Sequence, residues 1–356
     1  MKLITRQPAK YACPTTKAVA LTHLIFERPD LDLAESYLKD FGLVVGEKRP
    51  GVTYFQDRSE KPYCYRVEKA SKARFVGFGL QVASHDDLLA LQAELKCGPI
   101  KDSTHPGGGK AIKLTDPSGF MVEVSCDQES VGKKPYRSPL PVNTSDNVER
   151  RNETQRPPVE PPQVLKLGHV VIEVAKFQET SAWYTKHFGF IPSDVQVLPD
   201  GSPAVCFFRL DLGDTPADHH TLAMAQGFMP LYSHSAYEVI DADAVGMGQR
   251  VLREKGWNHA WGIGRHILGS QIFDYWSDPW GDKHEHYCDG DAFTSDRALG
   301  VHPVSRDAMS QWGQPMPASF TKPKLSPKAV AELVKNLREA PDLSVKKLIT
   351  LAKLFA

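Results

Sequence analysis

The sequence predicts an α+β fold of two tandem modules, each a pair of βαβββ units curving around a cavity, with a helical extension after them. Three observations carry that expectation. The chain has 356 residues, too long for one compact core, because single cores stop growing near ~250–300 residues. Two stretches of it repeat the same ordered landmarks. Between them lies a segment rich in Pro, Asn and charge, with almost no apolar periodicity, that reads as a linker. The boundaries fall at 1–127 for the first module, 128–163 for the linker, 164–300 for the second module and 301–356 for the extension.

The first module opens on LTHLIFE (Leu21–Glu27), continues into a helical stretch ending YLKDFGL, and closes on LTDPSGFMVEV (Leu114–Val124). The second opens on LGHVVIE (Leu167–Glu173), continues through ETSAWYTKHFGF, and closes on WSDPWGDKHEHY (Trp276–Tyr287). In each, an alternating strand precedes an amphipathic helix stopped at Phe-Gly, and an Asp-Pro-x-Gly turn leads into the last strand. From Ser326 onward, SPKAVAELVKNLREA and DLSVKKLITLAKLF read as two amphipathic helices started by Ser or Asp. They are expected to be structural, packed on the body or on a second subunit.

Composition excludes several classes of function. Lys+Arg 43 balance Asp+Glu 43, so no global field draws in nucleic acid or an anionic membrane. A hydrophobic share of 41% with 24% charged residues is that of a globular protein. No apolar run reaches the ~18 residues that span a bilayer, and Met1–Lys17 lacks a signal-peptide core. Six scattered cysteines without a CxxC pair fit reduced thiols and a cytoplasmic protein. Gly107-Gly108-Gly109 lacks the Lys-Ser/Thr pair and helix of a phosphate-binding loop.

Histidine is the outlying count: nine of the thirteen fall between His169 and His286. Strand alternation puts His169, Val171 and Glu173 on one face of LGHVVIEV, and His234, Ala236 and Glu238 on one face of SHSAYEV. Glu285 lies on the strand reached through Asp278-Pro279-Trp280-Gly281. Two imidazoles and one carboxylate from separate strands can form a facial triad that leaves positions open on a divalent first-row metal.

LGHVVIEV, SHSAYEVID and HILGSQIFDYWSDPWGDKHE together resemble the type I extradiol ring-cleaving dioxygenases, the catechol 2,3-dioxygenase-like members of the vicinal oxygen chelate superfamily. That family's signature is matched here by Gly264-Arg265-His266, then Tyr275, then Asp278-Pro279-Trp280-Gly281 and Glu285. Asp274 departs from it, standing where the family usually has an aliphatic residue or Phe. The resemblance implies His169, His234 and Glu285 as ligands of Fe(II), with Mn(II) accepted by the same set. It implies His266 and Tyr275 as hydrogen-bonding partners of the substrate oxygens, and a further His upstream of the second ligand as acid and base. His219 and His220, in DHHTLAMA, compete for that place. Alternation groups His219 with Thr221 and Ala223 and so favours His219, and a register shift of one residue reverses the choice.

The implied activity is extradiol cleavage of a catechol-type aromatic with dioxygen, in degradation of aromatic compounds, by a homo-oligomer. The rivals are a glyoxalase-like lyase, isomerase or thiol transferase using another divalent metal, and a module that sequesters an aromatic ligand without catalysis. The first module matches the ligand positions with His23, Gly77 and Glu123, and glycine has no side chain to coordinate with, so this module is expected to be metal-free. His284 and His286 should point away from Glu285, in surface or outer-shell positions. His259 reads as an exposed loop residue. Trp257, Trp261, Trp276 and Trp280 are candidates for flat pocket walls or for ordinary packing.

Overall fold

The computed structural model describes residue 10 and residues 12–306, 309–320 and 326–355; the N-terminal stretch Met1–Lys17 lies largely outside these. The architecture is α+β, with an eight-stranded sheet built from residues 18–126 and a ten-stranded sheet built from residues 166–313.

The two sheets share a wiring pattern. In the first, strand Ala18–Arg28 pairs antiparallel with Arg74–Val82, which runs parallel to Met121–Cys126. In the second, Lys166–Val174 pairs antiparallel with Leu231–Glu238, which runs parallel to Lys283–Cys288. The turns repeat as well. Asp116 Oδ1 accepts from the backbone N–H of Ser118 and Phe120, both at 2.9 Å. Asp278 Oδ1 accepts at 2.9 Å from Trp280 and Asp282. Gly119 and Gly281 sit at φ of 96° and 90°, the region that only glycine enters freely. The Asp-Pro-x-Gly signature is therefore a turn in which the carboxylate substitutes for missing backbone partners.

The helices after the opening strands, Leu31–Asp40 and Phe177–Phe188, end where Phe-Gly was expected to stop them. Gly189 caps the second in the left-handed conformation. Gly42, at φ 105°, also lets the chain approach closely, since a Cβ there would fall 2.1 Å from the Pro162 carbonyl oxygen. Residues 127–163 form no regular element but are tied down. Both Arg137 Nη atoms donate at 2.6 Å to Asp241, the N-cap of helix Ala242–Glu254.

The two sheets share one apolar core that includes Phe26, Phe41 and Tyr65 from the first and Val170, Tyr237 and Trp276 from the second. Alternation along Lys283–Cys288 sends His284 and His286 into that core and Glu285 the opposite way. Both histidines are fully buried, which corrects a surface position: Tyr65 Oη lies 3.1 Å from His284 Nε2, and His286 Nε2–H donates at 2.7 Å to the Phe41 carbonyl. The C-terminal helices Pro327–Glu339 and Val345–Phe355 pack on the second sheet. There Ala340, Leu343 and Leu348 meet Ala175 and Phe228, and Lys347 Nζ donates at 2.9 Å to Gln226.

Candidate active site

The second sheet curves around a cavity of about 650 Å³. His169, Val171 and Glu173 all reach it, as the alternation of their strand requires. His169 and Glu285 both stand opposite Ala236 on the strand between them. The small Ala236 side chain leaves a gap flanked by imidazole and carboxylate, and His234, two residues earlier, enters from one pleat away. His169 Nε2 lies 3.4 Å and His234 Nε2 3.5 Å from Glu285 Oε2.

Among the described residues this trio is a cluster able to hold a metal ion, its ligand atoms lying within 4.8 Å of one another. The Glu285 carboxylate is buried and neither oxygen has a hydrogen-bond partner. A buried charge without partners is costly unless a cation joins it, so the donors fit a divalent ion. Electrostatics agree. Burial pushes the Glu285 carboxyl up, but the nearness of His169 and His266 outweighs it and holds the group well below the usual carboxylate range. Burial lowers the His234 imidazole to about 3, so its ring is neutral and its lone pair free, as ligation requires.

His266 and Tyr275 stand beside this trio on the cavity wall. His266 Nδ1–H donates at 2.7 Å to the Met309 carbonyl, which leaves Nε2 to accept from Tyr275 Oη at 2.9 Å. The sequence-favoured orientation of the neighbouring histidine pair is reversed. His220 lines the cavity, its ring 3.9 Å centre to centre from His169, whereas His219 lies behind it and pairs with Asp194 at 2.6 Å. The reason is where the strand begins. Ala223 and Ala225 do occupy the small-residue side of Leu222–Gln226, and Ala225 lines the cavity. Regular pairing starts only at Leu222, however, and alternation cannot be extrapolated across the bend at His219–Thr221.

Other expectations are corrected by side-chain direction. Asp274 is fully buried and faces away from the cavity, bound by His259 Nε2 at 2.7 Å, Trp276 Nε1 at 2.6 Å and Gln249 Nε2 at 3.2 Å. His259 is exposed as expected, but it stands on a strand, Asn258–Arg265, and has a carboxylate partner. None of the four tryptophans lines the cavity; Phe207, Phe228, Phe320 and Tyr275 supply its aromatic walls. Leu333, Leu348, Leu351 and Ala352 of the C-terminal helices close it on another side. No motif announced that contact, since an amphipathic helix declares that one face is buried and not what buries it.

The first sheet offers a contrast. His23 Nε2 and Glu123 Oε1 lie 3.4 Å apart, but Arg66 Nη1 sits 3.3 Å from the same oxygen and 2.8 Å from His105 Nε2. A guanidinium therefore faces the carboxylate that corresponds to Glu285. Gly77 stands in the register of His234, and a Cβ added to it would fall 1.9 Å from the Met121 carbonyl oxygen.

Comparison with known proteins agrees with this layout. Residues 166–285 match the family model of the Glyoxalase/Bleomycin resistance protein/Dioxygenase superfamily. Metapyrocatechase 2 of Cupriavidus necator is 26% identical over 334 residues, covering 89% of this chain and 96% of the relative. The Mn(II)-bound glyoxalase from Novosphingobium aromaticivorans superposes with a TM-score of 0.72 at 22% identity, over 88% of this chain and 97% of its own. Homoprotocatechuate 2,3-dioxygenase from Arthrobacter globiformis gives 0.73 at 18% identity, over 88% and 94%. Residues 166–285 thus carry the match to the Glyoxalase/Bleomycin resistance protein/Dioxygenase superfamily, and the chain as a whole is similar in sequence to a metapyrocatechase and in fold to extradiol ring-cleaving dioxygenases.

Proposed function

We propose that this chain is an Fe(II)-dependent extradiol dioxygenase acting on a catechol that carries an apolar substituent. The observation that carries the reading is the buried, unpartnered Glu285 carboxylate between two imidazole nitrogens at 3.4 and 3.5 Å, at the wall of a largely apolar cavity. His169, His234 and Glu285 would hold the ion, which when bound supplies Lewis acidity to the diol and a place to bring it together with dioxygen. The protein's own groups do the rest. His266 and Tyr275 orient the diol oxygens by exchanging the hydrogen bond they make with each other for bonds to the substrate, Tyr275 Oη–H donating to one oxygen and His266 Nε2 accepting from the other. His220 holds a proton taken from the diol and returns it later, since burial, with the neighbouring His169 and His219 adding to it, keeps its ring neutral and able to accept. Phe207, Phe228 and Phe320 exclude water and hold the ring. Both atoms of dioxygen enter the product, a ring-opened hydroxymuconic semialdehyde.

Anaerobically purified protein is expected to hold about one iron per chain and to turn a catechol solution yellow when air is admitted. The likeness to a glyoxalase supports a second reading, isomerisation of a thiol hemithioacetal. Protein that is inert toward catechols but active, with Mn(II), on a glutathione hemithioacetal would establish that one instead. His220→Asn should retain iron yet lower kcat about 10²–10⁴-fold, the worth of a positioned acid–base group; iron analysis beside steady-state kinetics checks both halves. Leu348→Glu places a carboxyl in the apolar wall. It should raise KM for an alkyl-substituted catechol about tenfold, while kcat changes less than about threefold.

A further inference from the structure

Behind His220 runs a chain of polar groups that leads out of the cavity. His220 Nδ1 lies 2.9 Å from His219 Nδ1, His219 Nε2 lies 2.6 Å from Asp194 Oδ2, and Asp194 Oδ1 lies 2.8 Å from His302 Nε2. His219 and Asp194 are buried, and His302, 40% exposed, ends the chain at the surface. The backbone is shaped around it. Gly300 pairs with Asp194, and a Cβ at Gly300 would stand 1.8 Å from Asp194 Oδ1 and 2.7 Å from His302 Nε2.

Donor and acceptor logic sets the protons. Burial pushes the Asp194 carboxyl up, but hydrogen bonds from His219 and His302 outweigh it and hold it below the ordinary range, so it accepts and does not donate. His219 must then carry a proton on Nε2, and a ring holding that one proton accepts at Nδ1. The 2.9 Å contact requires the other Nδ1 to donate, so His220 carries its proton on Nδ1 and turns a bare Nε2 toward the cavity.

We propose that His219 and Asp194 form a positioning relay that fixes the tautomer of His220, with His302 securing the outer carboxylate oxygen. The proposal rests on His220 being the acid–base group of the reading above. The arrangement parallels the aspartate behind the histidine of a serine-hydrolase triad, whose work is orientation and tautomer choice. Here one imidazole is interposed, so the carboxylate acts from outside the cavity and does not compete with the ligand carboxylate for the ion. When His220 holds a substrate proton on Nε2, its Nδ1–H is directed at His219, and Asp194 stabilises the positive charge shared by the two rings.

The first test needs no variant. Full-length protein labelled with ¹⁵N-histidine and loaded with diamagnetic Zn(II) should show His220 protonated on Nδ1 and His219 on Nε2 in two-bond ring correlations. The opposite tautomer of His220 overturns the proposal. In the iron-loaded enzyme, Asp194→Asn should lower kcat about a hundredfold, with KM within about twofold and iron retained. Added to His220→Asn, the same change should alter kcat by less than about twofold, because groups that act as a unit are not additive. Independent, multiplying losses would mean that Asp194 acts through the fold alone and would overturn the relay. If His220→Asn leaves turnover intact while the ring tautomers are as stated, the acid–base assignment fails and the relay geometry survives.

Discussion

Glu285→Ala should yield folded protein that no longer retains a divalent ion and cleaves no catechol. Of the three proposed ligands Glu285 is the one carboxylate, and its removal leaves two imidazoles facing a largely apolar cavity. Partners outside the first ring of ligands are commonly worth about 10–100-fold in metal affinity, so losing the charged ligand should cost more than about a hundredfold. Stability should fall as well, even in metal-free protein. There burial pushes the carboxyl up, but His169 and His266 outweigh it and hold the group below its usual range. That contribution is present at neutral pH and lost with the carboxylate, so the metal-free variant should melt lower than metal-free wild type. Added Fe(II) should raise the Tm of the wild type and leave that of the variant unchanged, because only an ion that binds the native state stabilises it. His23→Ala is the control. In the first sheet Arg66 already faces Glu123 at 3.3 Å, so iron content should be unchanged. Metal analysis of the two variants side by side would place the site in the other sheet if the outcomes were exchanged.

How much of this was legible in the sequence depended on whether a residue lay inside a regular element. His169, Glu173, His234 and Glu285 sit on paired strands, where alternation dictates direction, and each points as its neighbours require. His219 and His220 sit one bend before a strand, and there the same rule misassigned them. Of the clustered histidines without a role, His187 lies 3.0 Å from Thr15 Oγ1, His259 answers Asp274, and His284 and His286 meet Tyr65 and the Phe41 carbonyl between the sheets. These partners come from 15 to 245 residues away, so no local pattern encodes them. Arg66 is the same kind of case: only the folded register brings it to Glu123. The cavity-closing role of the C-terminal helices was hidden for a related reason, since Leu348 and Leu351 are ordinary members of an apolar face until their neighbours are known.

Arg28→Ala should be the most destabilising single change outside the site. Arg28 leaves the first sheet and enters the turn that aims Glu285: its Nη2 donates at 2.8 Å to Asp278 and 2.6 Å to Asp282, and its guanidinium lies 4.4 Å from the Phe26 ring and 4.9 Å from that of Trp280. The side chain is 1% exposed, as against 3% for Asp278 and 26% for Asp282. Taking away one member of a buried pair costs about 3–5 kcal/mol, because the partner charge is left uncompensated. The pH dependence has a definite sign. Burial already pushes Asp278 up to about 6 despite the pull of Arg28, and without the guanidinium it must rise further. A carboxyl whose folded value lies above its unfolded one costs nothing while both states are protonated. It costs progressively more as pH climbs from the unfolded value through the folded one. The stability lost in Arg28→Ala should therefore be smaller at pH 5.5 than at pH 8, measured by urea unfolding of metal-free protein. A loss independent of pH would assign the effect to the contacts with Phe26 and Trp280 rather than to charge. Because Asp278 also accepts the backbone N–H groups of Trp280 and Asp282, a protonated Asp278 would loosen the turn seven residues before Glu285. The variant should consequently bind iron more weakly even where it remains folded.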